Sequence, residues 1–179
     1  MVANRRIEIR RLFLILAIFF ATSCQAKPGL ESDFLITGSA AGPIKIGDSK
    51  QQVLKLRQKY KLEEVDLFSE GMPGSPAVQI YDGDELLFNA EIVKGAVYRI
   101  TVLSPRFKTH EGIGVGSTFG DLKKYFGKPK RLEAGEGGFY AGFDTKSGWL
   151  SFALAVPVAL EEYVSDQTKI QFILVVGQT

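Results

Sequence analysis

At 179 residues, with 45% apolar and 23% charged side chains, the chain suffices for one packed domain or two small ones sharing a core. Its 22 basic and 20 acidic residues nearly cancel, which argues against a strongly basic nucleic-acid binder and against an acidic disordered tail. One histidine, His110, and one cysteine, Cys24, exclude Cys/His structural zinc, iron–sulfur clusters and intrachain disulfides, and no cofactor or metal is expected.

The chain opens with Arg5, Arg6, Arg10 and Arg11, then the apolar run Leu12 to Ala21, then Thr22 and Ser23. A charged start, an apolar stretch too short to span a bilayer comfortably and small residues after it form the order of a secretory signal, so residues 1–23 are read as an address. Ala21-Thr22-Ser23-Cys24 resembles the bacterial lipobox, which implies cleavage before Cys24 and lipidation of its thiol. The alternative is an ordinary signal cleaved after Ala26, giving a secreted or periplasmic protein. Several acyl chains on Cys24 would hold the protein stably on a membrane. Gln25, rather than Asp, then favours the outer membrane, periplasmic side. Removing the signal takes four arginines and one glutamate, so the mature chain is close to neutral. Residues 24–40 read as the lipidated N-terminus and a tether.

Beyond residue 40 the chain reads as two α+β repeats, residues 41–109 and 110–179. Ile44–Leu56 can be laid over Ile113–Tyr125 at a constant offset of 69, with Ile44/Ile113, Gly47/Gly116 and Lys55/Lys124 identical. Ser49 and Thr118 are helix N-cap candidates, with Gln52 and Asp121 three residues later to complete capping boxes. Val53, Leu56 and Tyr60 make one apolar stripe, and Leu122 with Tyr125–Phe126 makes another. Gly127 and Pro129 stop the second helix. Alternating stretches follow each helix: Ala77–Asp82, Leu86–Val93 and Ala96–Leu103 in the first half, and Phe139–Asp144, Trp149–Val156 and Lys169–Val176 in the second. Weaker strands at Glu63–Phe68 and Lys130–Ala134 bring each half to about four, while Ser69–Pro76 reads as a loop. Leu86/Phe88/Ala90/Ile92, Leu150/Phe152/Leu154/Val156 and Ile170/Phe172/Leu174/Val176 are the expected inward rows. The expected fold is therefore α+β: two tandem helix-plus-antiparallel-meander repeats in one domain, with helices packed on the sheet.

The helix starts Gly47-Asp48-Ser49 and Gly116-Ser117-Thr118 carry a resemblance to the tandem repeat of the β-lactamase inhibitor proteins and to the SmpA/OmlA-type outer-membrane lipoproteins. The resemblance covers about residues 41–176 and implies a scaffold for gripping other proteins. The inhibitor proteins staple their repeats with disulfides, which this chain cannot form, and the lipoproteins carry one repeat rather than two.

Catalytic motifs are scarce. Gly112-Ile113-Gly114-Val115-Gly116-Ser117-Thr118 lacks the lysine of a phosphate loop and the glycine spacing of a dinucleotide fingerprint, and reads as a tight turn into a capped helix. His110 has no local nucleophile or acid partner and reads as a loop histidine. Asp82-Gly83-Asp84-Glu85 lacks the ligand spacing of a calcium loop and reads as an acidic hairpin turn. The row facing away from the core holds Gln79, Tyr81, Leu87, Asn89, Glu91, Arg99, Thr101, Tyr140, Asp144, Trp149, Ser151, Lys169 and Gln171. Tyr, Trp and Arg among small polar residues are the composition of protein-binding hot spots. Tyr81, Arg99, Tyr140, Trp149 and Gln171 are the candidate partner-binding residues. The leading expectation is a membrane-anchored, non-catalytic protein-binding module whose partner is an envelope protein. A binder of a small ligand or glycan stands second, and a hydrolase using His110 or an acidic pair third.

Overall fold

The computed structural model describes residues 32–69, 72–135, 138–157 and 159–177, so the signal segment and Cys24 lie outside the described residues. Of the described residues, about 52% are strand and 16% helix, 3-10 turns included. The expected α+β class, with helix-plus-meander repeats, is thereby corrected: the molecule is mainly β, built on one large antiparallel sheet with two short helices. The N-terminal strands β1 (Ile36–Thr37), β2 (Ala40–Ala41) and β3 (Ile44–Lys45) form a small sheet of their own. Helix α1 (Lys50–Leu54) precedes β4 (Lys61–Ser69), β5 (Met72–Asp82), β6 (Glu85–Val93) and β7 (Ala96–Val102). Helix α2 (Phe119–Phe126) precedes β8 (Arg131–Gly135), β9 (Gly138–Thr145), β10 (Gly148–Leu154) and β11 (Ile170–Val176). The large sheet runs β4-β5-β6-β7-β11-β10-β9-β8, each neighbouring pair antiparallel.

The physical reason for the shift toward β lies at the helix ends and in the supposed linkers. After five residues α1 tightens into a 3-10 turn, Lys55–Gln58. Gly127, at φ 81°, ends α2 after eight. Helices this short cover only part of an eight-stranded face. Val53 and Leu122 are buried on it, but so are Ile36, Ala41 and Ile44 from the N-terminal strands and Phe107 and Ile113 from the segment between β7 and α2. The packed structure thus reaches back to Ile36, into residues assigned to a tether. The Ser69–Pro76 loop is also corrected: β5 starts at Met72. Pro76 pairs with Asp66 of β4, while pairing with β6 begins only at Ala77. A proline there costs no ladder bond on the unpaired side.

The two capping boxes form as the sequence pattern requires, Ser49 with Gln52 and Thr118 with Asp121. Each helix start is also tied to a sheet strand in the same way. Gly47 N–H donates to the Val97 carbonyl at 2.8 Å, and Gly116 N–H to that of Ile170 at 2.9 Å. In return Val97 N–H donates to Asp48 and Ile170 N–H to Ser117.

Candidate binding face

Alternate residues of a strand point to opposite faces, so the pairing register fixes which side chains meet away from the core. Val102 lies opposite Ile173 and Ile100 opposite Val175, all four fully buried. The outer face at the same strands therefore holds Arg99, Thr101, Leu174 and Val176. This corrects the phase of β11. Ala153 pairs with Phe172 but Leu154 with Ile170, so Gln171 is an extra, exposed residue in a bulge. The bulge puts Phe172, Leu174 and Val176 on the outer face, half-buried, rather than in the core row. A second irregularity between β5 and β6 buries Leu87, which the alternation had turned outward.

Three of the five candidate residues converge. Arg99, Tyr140 and Trp149, with Arg131, Glu133, Ser151, Leu174, Val176 and Gly177, line a cavity of about 370 Å³ on the outer face. Trp149 stands opposite Asp144 but lies diagonally over Gly142: a Cβ on residue 142 would sit within 2.5 Å of the indole benzo ring. Tyr140 uses Gly135 in the same manner, its ring 3.0 Å from where a Cβ would be, and meets the Phe172 ring edge-on at 6.0 Å between centroids. Glycines of β8 and β9 thus leave the room that one edge of each aromatic ring occupies.

Arg99 is partly committed to structure. It grips Glu91 with both Nε and Nη2, the latter at 2.7 Å. The Glu91 side chain is 6% exposed and that of Arg99 36%, so the guanidinium both neutralises a buried carboxylate and reaches the cavity. Arg131, at the edge strand, meets Glu133 at 3.5 Å and is 65% exposed.

The other two candidates lie elsewhere. Tyr81 is four strands from Trp149 in the sheet order, about 19 Å across the sheet. Its hydroxyl donates to Gln79 at 2.8 Å, and Lys61 stands over its ring. Gln171 is exposed at the β11 bulge. Sequence reasoning missed Leu174, Val176, Arg131 and Glu133. Glycine within a strand pattern, at 142, was the available signal for close approach of another group.

The residues considered for chemistry, and the half-buried Lys108, lie apart from this cavity. His110 is exposed and makes no hydrogen bond or ion pair among the described residues. Asp82 and Glu85 both face Arg106, and Glu85 accepts a bond from the buried Ser104 hydroxyl. Burial holds the Lys108 amine below its ordinary value, and its nearest acceptor is the Val115 carbonyl at 3.4 Å. None of these groups lines the cavity.

The chain matches no family profile and none of the curated proteins. Among solved structures it is similar to the crystal structure of the uncharacterized protein YfeY from Escherichia coli. The two share 14% sequence identity with a TM-score of 0.60, over 80% of this chain and 99% of YfeY. At that identity the likeness is one of fold alone.

Proposed function

We propose that this chain is an exported lipoprotein, anchored in the bacterial cell envelope through Cys24, that acts as a non-catalytic protein-binding module with the outer face of its large sheet. The observation that carries the reading is the convergence of Arg99, Tyr140 and Trp149 on one half-apolar cavity, bordered by Leu174 and Val176. Rigid aromatic bodies resting on a sheet and flanked by guanidinium groups are the composition from which binding hot spots are built. The anchor rests on the sequence alone: a signal pattern ending at the chain's single thiol.

Crosslinked capture from envelope membranes tests the module. Trp149→Ala is the informative variant, because Arg99→Ala would also strand Glu91 without its counter-charge. The reading requires a protein partner lost in Trp149→Ala with the melting temperature of the variant unchanged. Recovery of no partner, or loss only through unfolding, rejects it. Palmitate labelling, expected to vanish in Cys24→Ser, checks the anchor independently.

A further inference from the structure

We infer that the cavity at Trp149 is a subsite for a pyranose ring, a ligand class narrower than the outer face as a whole. The inference rests on the reading that this face is a recognition surface, and it names what one part of that surface takes. A sugar ring presents two kinds of surface: a flat patch of C–H groups and a rim of vicinal hydroxyls. The cavity presents a counterpart to each. The indole of Trp149, with one edge of its benzo ring at Gly142, supplies an apolar surface, and Tyr140, with a ring edge at Gly135, a second ring beside it. Around these lie Arg131, Glu133, Ser151 and Arg99, planar or hydroxylic groups that can each engage hydroxyls, the guanidinium and carboxylate two at a time. Glu91, directly across on β6, fixes the Arg99 guanidinium from the side.

The volume, about 370 Å³, lies in the lower range of small-molecule sites and suits one ring or two rather than a long bound segment. Among the described residues Glu133 is the single carboxylate in the lining, whereas glycoside hydrolysis uses two, so the site is assigned to binding.

Trp149 is the chain's only tryptophan, so its emission reports on this cavity without interference. The full-length chain is titrated with the β-1,4-linked tetramer of N-acetylglucosamine and, separately, with the monomer. The expected result is a saturable emission change with one or both. Response to the tetramer alone identifies a glycan strand as the source of the ring, and equal response to the monomer identifies a free sugar. Arg131→Ala, at an exposed edge position, is expected to weaken binding about tenfold while leaving folding intact, the loss of a charged hydrogen bond. An emission spectrum unmoved by either saccharide at millimolar concentration overturns the inference. Binding that Arg131→Ala leaves unchanged does so equally. If the saccharides fail while Trp149→Ala still abolishes protein capture, the sugar subsite falls and the recognition face survives.

Discussion

Trp149 occupies its place because residue 142 has no side chain. The indole carbons stand 2.2 and 2.5 Å from where a Cβ of residue 142 would be, distances that no side chain tolerates, and the obstructing group is a bulky ring rather than a flexible tip. Gly142→Ala must therefore lift the indole off β9. Overpacking of this kind costs about 1–3 kcal/mol, read as a lower urea midpoint, and the displaced ring should emit at longer wavelength. The two effects share one cause, so Gly142→Ala combined with Trp149→Ala should destabilise by less than the sum of the single changes. Additive effects would mean that the ring and the glycine are not in contact. Glu91 and Arg99 teach a related lesson at the same scale. Composition marks an arginine on an outward row, but only the register shows that its first task is to neutralise a carboxylate 4% exposed.

At the scale of elements, the helix starts were the most legible part of the chain, because a capping box is local chemistry. Thr118 Oγ1 accepts from Asp121 N–H at 3.1 Å, and the Asp121 carboxylate accepts from Thr118 N–H at 2.9 Å. Thr118→Ala should cost about 1 kcal/mol, measured by denaturant titration at neutral pH. The bonds from Thr118, backbone first and hydroxyl second, hold the Asp121 carboxyl below its ordinary 3.8. A depressed pKa means that the carboxylate's contribution is complete above that ordinary value and fades as pH falls through the lower, folded-state value. The stability gap between the native chain and Asp121→Asn should accordingly be constant near neutrality and close only in strong acid. A gap that closes between pH 5 and 7 would contradict the assignment. Strand existence was legible for the same local reason, since the alternating runs near 77–82, 86–93, 96–103 and 139–144 all became strands. Phase was not. A period of two has no way to record the extra residue at Gln171, so Phe172, Leu174 and Val176 fell on the wrong face, and with Leu174 and Val176 went two of the nine residues that line the cavity. Nor did periodicity reveal the short strands β1 to β3, two residues each, whose burial depends on the sheet they cover.

Across the whole molecule the sheet has two ends, and their surroundings differ. One end carries the Gly83–Asp84 turn and Arg106. Phe34, close behind the first described residue, packs there against Phe107 at 5.7 Å and beneath the Arg106 guanidinium at 5.1 Å. The other end carries the Lys94–Gly95 and Lys146–Ser147 turns, Gly177 and the near wall of the Trp149 cavity. A nine-residue strand such as β6 separates the ends by about 30 Å. Seven residues, 25–31, lie between Cys24 and Ser32, eight steps of chain that reach at most about 29 Å. Phe34 is only four residues from Gly38, whose N–H donates to the Ser147 carbonyl at the cavity end, so such a tether reaches either end; it is the proposed partner binding that requires the cavity end to project away from the bilayer. Asp84→Cys and Lys146→Cys place a fluorophore at either end, both positions being exposed, while Cys24, if acylated as proposed, takes no label. In proteoliposomes, a lipid-borne quencher should quench the label at 84 strongly and the label at 146 weakly. Equal quenching, or the reverse order, would show that the domain lies flat or inverted on the membrane. Either result would count against a recognition face that opens to a partner at the Trp149 end.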